Sequence, residues 1–511
     1  MSDSLRRRFP LLLFVVLYLL LANFTFKDFG ETFDESGVYT RGIVLHQYLF
    51  HDNVVNFLQK TTPDDGVVIY NHFYSLMLSF LNPSSDLDNY HWLNMFFALL
   101  VFIGLYELLL NQTQKPWLAL LGPVFLALTP RFLGDIPANP KDMPFGVFYL
   151  LSLWAIYHFY RKPQTHPYVK VLVLGLIFGE TQASRLLGLT LYPVYILFDL
   201  HFFYHSAKHS LEDWKKHLFE VASLLTLVFM LSSFMMILTW PYLGSNYFNH
   251  FAELLGISKN FFWNNNVLFM GKEIPTSQLS WIYLPVWFLV TTPLFILFFL
   301  ASSFIFIKSK MANPLYILMG VAVTVNAAFY LILKPVIYDG LRHFLFLLPV
   351  LAAIAALSAA EWIQNAKKNS LFKIILCLCA LNGLTVVYHL VRLHPYEYIY
   401  FNELTGGLKG SEGRFENDYW GASFKEAVDW LEKNAATDPK KTYKVTGSGN
   451  SYQIFYYFTP NMKWVDKEKI KEADFYISYT RDNLQAEAAP SKVIHVVERE
   501  GVPLNYVFKL K

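Results

Sequence analysis

The feature that most constrains this chain is a series of long apolar segments. The first runs from Phe9 to about Phe26 behind three arginines at positions 6–8, close to the roughly 20 residues that a helix needs to cross a bilayer. A retained helix fits this run better than a cleavable signal peptide, because no clear small-residue cleavage site precedes Asp28. Ten further segments follow at about 91–110, 117–130, 143–160, 169–180, 186–205, 218–240, 281–307, 314–333, 343–362 and 371–390.

These segments predict a polytopic α-helical membrane protein with about eleven transmembrane helices. The segments that begin at 117 and 169 are short, so tilted pairs and partly re-entrant helices both stay open for them. Charged residues make up 16% of the chain, against roughly 25% in soluble globular proteins. This low fraction argues against an ordinary soluble enzyme.

The charged residues are unevenly distributed. Of the 81 Lys, Arg, Asp and Glu residues, 34 lie after position 390. We therefore predict a transmembrane domain over 1–390 and a small α/β domain over 391–511. Sequence patterns in the second domain predict helices at 423–435 and 451–458 and strands near 441–447, 474–479, 492–499 and 504–510.

The positive-inside rule predicts the orientation. With the N-terminal arginines in the cytoplasm, the other short basic loops fall on the same side, and they carry Lys115, Arg161, Lys162, Lys170, Lys208, Lys215, Lys216, Lys308, Lys310, Lys367, Lys368 and Lys373. The opposite side then holds the long loops 27–90 and 241–280, three short loops and the 391–511 domain. We expect a multi-pass protein of the plasma (inner) membrane, with its active site and C-terminal domain extracytoplasmic.

Five basic residues on the predicted external side run against this rule: Arg131, Lys141, Arg185, Lys334 and Arg342. Any one of them alone is explained by capping a helix carboxyl end or by snorkelling to lipid headgroups. Five that converge with carboxylates indicate an anion site. A guanidinium group suits bidentate phosphate binding, so we rank Arg342 first, with His343 beside it at the start of an apolar segment.

Three acidic residues occupy the same side of the membrane. Asp34 and Glu35 follow the first apolar segment, and on a helix they would project about 100° apart. One could then face a substrate while the other binds a second group or caps a helix, although solvated loop acids with a capping role are the alternative. Asp142 opens the segment after the loop 131–142, where helix capping alone would also explain it.

With these residues the sequence resembles the polytopic glycosyltransferases of the GT-C class, particularly the protein O-mannosyltransferase and aminoarabinose lipid A transferase branch. The resemblance covers most of the chain to about residue 390. It rests on the Asp34-Glu35 pair in the first external loop, on Asp142 at the start of a helix, and on the long later loop. It also rests on Arg342-His343, at a position where relatives often have Arg-Tyr.

The resemblance implies transfer of a sugar from a polyprenyl-phosphate donor to an unidentified acceptor, usually with inversion, on the external face. Asp34 would be the general base, and Glu35 would orient the acceptor or the base. The donor phosphate would be bound by a pool of basic residues: Arg342, Arg131, Lys141, Arg185, Lys334 and His343. A divalent cation, Mg²⁺ or Mn²⁺, stays open as a cofactor, because Asp34, Glu35 and Asp142 offer oxygen ligands without forming a clustered motif.

Two other functions stay open. A transporter or flippase for a lipid-linked sugar would need ionisable residues buried in mid-span, whereas Glu107, Glu180 and Asp199 lie close to predicted helix ends. A non-catalytic envelope scaffold would use the tail to recruit a partner. The expected partners are the lipid-linked donor, an acceptor that is a protein, a lipid or a glycan, and membrane lipids. Nucleic acid is not expected, because a net charge of +3 is too small for a basic binding surface.

Overall fold

The computed structural model describes residues 3–50, 73–206, 209–259, 263, 265–305, 313–366, 369–488 and 490–511. Residues 51–72 of the predicted loop 27–90 lie outside these ranges. So do five of the lysines that were used to predict the orientation: Lys208, Lys308, Lys310, Lys367 and Lys368.

The first part of the chain is almost entirely helical, as the apolar segments predict. Its helices are α1 (Asp3–Thr25), α2 (Glu35–Phe50), α3 (Phe73–Leu81), α4 (Leu87–Thr113), α5 (Pro116–Ala119), α6 (Leu121–Ala127), α7 (Pro130–Asp135), α8 (Asp142–Arg161), α9 (Pro167–Ser184), α10 (Leu191–Ser206), α11 (Leu211–Thr239), α12 (Pro241–Ser245), α13 (Tyr247–Lys259), α14 (Tyr283–Thr291), α15 (Leu294–Ser302), α16 (Pro314–Leu333), α17 (Leu347–Ala366) and α18 (Ser370–Leu393). Short 3₁₀ turns lie at Leu186–Thr190, Thr276–Gln278, Arg342–Phe344 and Glu397–Ile399.

Seven helices of the described ranges are long and apolar enough to cross a membrane: α1, α4, α10 with the turn before it, α11, α16, α17 and α18. The bent pair α14 and α15 makes an eighth if it is one span. The predicted number of eleven spans is therefore not confirmed. The segment predicted at 117–130 is divided between the short helices α5 and α6, and the tyrosines of α8 and the charged residues of α9 lower the hydropathy of those two helices.

Helix α17 lies at the centre of the helical bundle. Of its apolar window 72% is buried, against 11% for α18, which lies at the periphery. Buried alanines occur in pairs along α17, from Ala352 to Ala360, and small side chains let helices approach closely. Its packing against α6, α15 and α16 fixes the position of the loop that leads into it, residues 337–346.

The helix axis bends by 116° between α14 and α15, at a break that contains Pro293. Proline lacks an N–H group and disfavours a helical residue before it, so backbone carbonyls are released at such a break. The side-chain amide of Asn402 donates to the carbonyls of Leu289 (2.6 Å) and Thr292 (2.7 Å). A residue that follows the last helix of the bundle therefore satisfies the broken helix.

The long loop 241–280 contains structure of its own. After α12 and α13, strands β1 (Asn266–Phe269) and β2 (Lys272–Pro275) pair antiparallel. The turn between them contains Met270 and Gly271, both with positive φ. Phe269 also forms an isolated bridge to Phe415, which joins this loop to the C-terminal part of the chain.

The C-terminal part forms a small α/β unit, as predicted. It contains α19 (Gly407–Ser411), α20 (Phe424–Asn434), α21 (Ser451–Phe455), β3 (Tyr443–Gly447), β4 (Met462–Trp464), β5 (Phe475–Tyr479), β6 (Lys492–Arg499) and β7 (Val502–Lys509). The sheet has the order β4-β3-β5-β7-β6, in which β3 runs parallel to β4 and β5 and the other pairs are antiparallel. The four predicted strands are all present, whereas β4 was missed because three residues show no alternating pattern.

Close contacts attach this unit to the loop after α1. The side-chain amide of Gln453 donates to the carbonyl of Glu31 at 2.9 Å, and the N–H of Glu31 donates to the hydroxyl of Tyr457 at 2.6 Å. A Cβ atom on Gly30 would lie 2.1 Å from the carbonyl oxygen of Ala422, so only glycine fits there. The loop and the C-terminal unit are packed backbone against backbone.

His394 adds an ionic link at the same junction. Its Nε2 lies 3.0 Å from a carboxylate oxygen of Asp28, and its Nδ1 lies 2.6 Å from one of Glu397. Burial disfavours the charged imidazolium, but the two carboxylates outweigh it and raise the pKa of His394 to about 8.

We expect the stabilisation by His394 to be lost at alkaline pH. A pKa raised from about 6.5 to about 8 contributes about 2 kcal/mol, fully present below pH 6.5 and lost as the pH rises through 8. The measurement is the free energy of unfolding of the wild type and of His394→Gln in detergent between pH 6 and pH 9. A gap between the two proteins that stays constant over this range would contradict the ionic link.

Candidate active site

Three loops bring charged side chains together beside the helical bundle. Asp34 lies between α1 and α2, Lys141 directly before α8, and Arg342 in the turn before α17. The Nζ of Lys141 lies 3.3 Å from Oδ1 of Asp34, and Nη1 of Arg342 lies 3.2 Å from Oδ2. Burial favours the neutral form of Asp34, but the two cations outweigh it and lower the pKa of Asp34 to about 2.

The guanidinium group of Arg342 contacts two aromatic rings and two carboxylates. Its central carbon lies 4.9 Å and 4.5 Å from the ring centroids of Tyr338 and Trp420, within the range of cation–π contacts. Its Nε lies 3.5 Å from Asp339, which also accepts a hydrogen bond of 2.7 Å from Arg481 in the C-terminal unit. Burial lowers the pKa of Arg342, but Asp339 and Asp34 outweigh it and raise the pKa, so Arg342 stays charged.

A cavity of about 140 Å³ opens beside these cations. One end is lined by Lys141, Arg185, Arg342 and His343. The remaining wall is mostly apolar and comes from the ends of α11 and α16, the turn after α9, the loop before α17, and α13 of the long external loop, with Leu186, Leu187, Trp240, Leu254, Ile257, Phe329, Pro335, Val336 and Ile337. The cavity therefore joins a cationic end to an apolar wall.

His343 is a neutral group within the cationic end. Burial and then the charges of Arg342, Arg185 and Lys141 lower its pKa well below the ordinary value. At neutral pH its imidazole can donate one hydrogen bond and accept another. His343 thus adds a polar contact to the cavity and no charge.

Glu35 is buried and is not among the residues that line the cavity. Its side chain is 0% exposed, and it accepts hydrogen bonds from the N–H of Thr32 (2.7 Å), from the hydroxyl of Tyr39 (2.9 Å) and from Nε2 of His91 (2.9 Å). A residue with these contacts cannot touch an acceptor in this conformation. These contacts hold the loop that carries Asp34, and both roles predicted for Glu35, orienting the acceptor or the base, stay predictions.

Asp142 contacts Arg185, one of the cations that line the cavity. It accepts hydrogen bonds from Arg185 and from the side chain of Asn139, and its own N–H donates to Oδ1 of Asn139 at 2.9 Å. This reciprocal contact ties the first residue of α8 to the loop before it. Asp142 thereby holds Arg185 at the edge of the cavity.

Arg131 and Lys334 are not among the residues that line this cavity. Arg131 is buried, with its guanidinium 4.8 Å, 5.1 Å and 5.9 Å from the ring centroids of Trp287, Phe401 and Tyr419, and burial lowers its pKa. Lys334 is an exposed residue that ends α16 with a φ of 45°. Phosphate binding by these two residues stays a prediction.

The predicted acidic residues do not form a metal site. Within the described ranges no group of three or more His, Cys, Asp or Glu residues is arranged to hold a metal ion. Asp34, Glu35 and Asp142 each face different partners: two cations, His91 and Arg185. The residues present do not form a preorganised site for a divalent cation, and binding of Mg²⁺ or Mn²⁺ stays a prediction.

Two functional contacts could not be found in the sequence. Arg481 reaches Asp339 from 142 positions away, and no local pattern marks it. Leu254 and Ile257 line the cavity from α13, in a loop whose asparagines and aromatic residues gave no clear assignment. By contrast, Asp34, Lys141, Arg185, Arg342 and His343 were all singled out by the sequence, and all five meet at this site.

Comparison with known proteins supports the fold. No family model matches the sequence, and no curated protein matches it. The crystal structure of ArnT from Cupriavidus metallidurans bound to undecaprenyl phosphate superposes with a TM-score of 0.52 at 12% identity, over 97% of each chain. ArnT from the same organism in the apo state superposes with a TM-score of 0.54 at 12% identity, over 98% of each chain. The chain therefore shares its fold with ArnT, a multi-pass helical architecture that the sequence predicts.

The contacts of Glu35 predict a structural defect when it is removed. Glu35→Ala leaves the N–H of Thr32, the hydroxyl of Tyr39 and His91 without their acceptor, so we expect a loss of about 3 kcal/mol in the free energy of unfolding. Tryptophan fluorescence in detergent measures it. Glu220→Ala, at an exposed position of α11, is the matched control and should stay within about 0.5 kcal/mol of the wild type.

Proposed function

We propose that this protein transfers a sugar from a polyprenyl-phosphate-linked donor to an acceptor hydroxyl on the extracytoplasmic side of the membrane. The observation that carries the proposal is the cavity whose cationic end adjoins both an apolar wall and the carboxylate of Asp34. A phosphate linked to an isoprenoid chain has the same division between charge and apolar surface. ArnT, which shares the fold, has been crystallised with such a lipid.

The cations are suited to the phosphate. Lys141, Arg185 and Arg342 supply three positive charges around one volume, and His343 adds a neutral donor. Charges that are already in place where negative charge develops usually make the largest single contribution to a rate. The leaving phosphate would be stabilised in this way, so no protonated carboxyl group is needed to assist its departure.

Asp34 is the carboxylate best suited to act as the base. It contacts two of the cations that line the cavity, and its side chain is 13% exposed, whereas that of Glu35 is 0% exposed and that of Asp142 is 2% exposed. Asp34 would take the proton of the acceptor hydroxyl while the hydroxyl oxygen bonds to the anomeric carbon. The bond from that carbon to the phosphate oxygen breaks on the opposite side, its electron pair stays with the phosphate, and the configuration is inverted.

Loss of Asp34 should leave the donor unused. In membranes of the native host that express Asp34→Asn, we expect one polyprenyl-phosphate sugar to accumulate relative to the wild type, measured by mass spectrometry at equal protein levels. Asp438→Asn, an exposed carboxylate of the C-terminal unit, is the control. Unchanged pools in the Asp34→Asn strain would remove the proposed base and favour a scaffold.

Loss of Arg342 should slow the transfer itself. With the accumulated lipid as donor, we expect Arg342→Gln to lower the rate of sugar loss from that lipid about 100- to 1000-fold, the usual effect of removing one preorganised charge from a developing anion. Lys162→Gln, at an exposed position directly after α8, is the control. Equal rates for Arg342→Gln and the control would contradict the assignment of this cavity to the phosphate.

A further inference from the structure

Two of the three cations that would bind the donor phosphate are already in contact with the proposed base. Each carboxylate oxygen of Asp34 has a cation beside it, Lys141 at 3.3 Å and Arg342 at 3.2 Å. Their charges also lower the pKa of Asp34 to about 2, and a carboxylate of that pKa is a poor acceptor for the proton of a hydroxyl group. In this state the carboxylate of Asp34 is too weak a base to accept the proton of the acceptor hydroxyl.

The same contacts weaken the attraction of these cations for a phosphate. Three cations border the cavity, and each already faces a carboxylate: Lys141 faces Asp34, Arg185 faces Asp142, and Arg342 faces both Asp34 and Asp339. A phosphate gains the full attraction of these cations only if one carboxylate gives up its place, because the charges are otherwise compensated.

Of the three carboxylates, Asp34 is the one that can move away. Asp142 is tied to Asn139 and Arg185, and Asp339 is held by Arg481 at 2.7 Å. For Asp34, Lys141 and Arg342 are the only hydrogen-bond partners of its carboxylate among the residues that the structure describes, and its side chain is the most exposed of the three.

We propose that the donor phosphate displaces Asp34 from Lys141 and Arg342, so that the carboxylate becomes a competent base only when the donor is bound. This inference rests on the proposed function. The phosphate and Asp34 compete for the same cations, and the donor that needs the base is also the ligand that releases it. An acceptor that arrives first meets a carboxylate whose oxygens are both occupied.

The same competition bears on release of the product. During transfer Asp34 gains the proton of the acceptor hydroxyl, while the phosphodiester with one negative charge becomes a phosphomonoester with up to two. The lipid phosphate then binds the cations more tightly, and the protonated Asp34 does not compete with it. Once Asp34 loses its proton to water it returns to Lys141 and Arg342, and this return favours departure of the lipid phosphate.

The test is the affinity of the purified protein for undecaprenyl phosphate in nanodiscs, measured by native mass spectrometry. We expect Asp34→Asn to bind this lipid about tenfold more tightly than the wild type, within the usual range of coupling between two competing ligands, although the same variant has lost transfer. Loss of a merely structural carboxylate would weaken binding or leave it unchanged. Undecaprenol, which has no phosphate, should bind both proteins equally.

Further variants separate the possible failures. Arg342→Gln should weaken binding of undecaprenyl phosphate, and Asp438→Asn should leave it unchanged. If Arg342→Gln weakens binding but Asp34→Asn leaves it unchanged, the displacement is wrong and the proposed function stands. If neither variant changes binding, the cavity is not the phosphate site and both proposals fail. Equal unfolding midpoints for the wild type and Asp34→Asn in empty nanodiscs exclude misfolding as the cause of a changed affinity.

Discussion

Asp34 joins three loops that are far apart in the sequence. Its partners Lys141 and Arg342 lie 107 and 308 positions away, and the two ion pairs bring together the loops that lead into α2, α8 and α17. A buried charge that loses its partner costs several kcal/mol, so each loop restricts the other two. The cavity takes its charge and its outline from these pairs, and the helices behind it provide the rigid frame on which the loops meet.

The charges continue from the site into the C-terminal unit. Arg342 contacts Asp339, Asp339 accepts a hydrogen bond from Arg481, and Arg481 also donates to the carbonyl of Tyr419 at 3.0 Å. The ring of Trp420, beside Tyr419 in the chain, covers one face of Arg342. Aromatic cover excludes water, and charge interactions strengthen where water is excluded. The C-terminal unit therefore helps to hold Arg342 in place, although none of the residues that line the cavity comes from it.

Much of this architecture follows from local sequence patterns. Apolar length predicts the long helices, and alternation predicts four of the five strands of the C-terminal sheet, because both depend on neighbours along the chain. Arg342 is predicted because a basic residue stands where the positive-inside rule disfavours it, whereas Asp34 is predicted from the Asp34-Glu35 pair in the first external loop and the family resemblance. The burial of Glu35, the reach of Arg481 and the aromatic contacts of Arg131 depend on residues more than 50 positions away. The predicted eleven spans are not confirmed, since a bend at Pro293 and short helices such as α5 and α6 interrupt apolar segments that are continuous in the sequence.

The bend between α14 and α15 bears on how the chain could be divided. Composition separates the chain near residue 391, yet the carbonyls of Leu289 and Thr292 are satisfied by Asn402, beyond that boundary. A protein cut at the boundary would expose two unpaired carbonyls inside the bundle, where each costs about 1–3 kcal/mol. During synthesis the broken helix leaves the ribosome more than a hundred residues before Asn402, so the helical bundle stays incomplete until the following segment has been made. The helical bundle and the C-terminal unit therefore complete their folding together, although their amino-acid compositions differ.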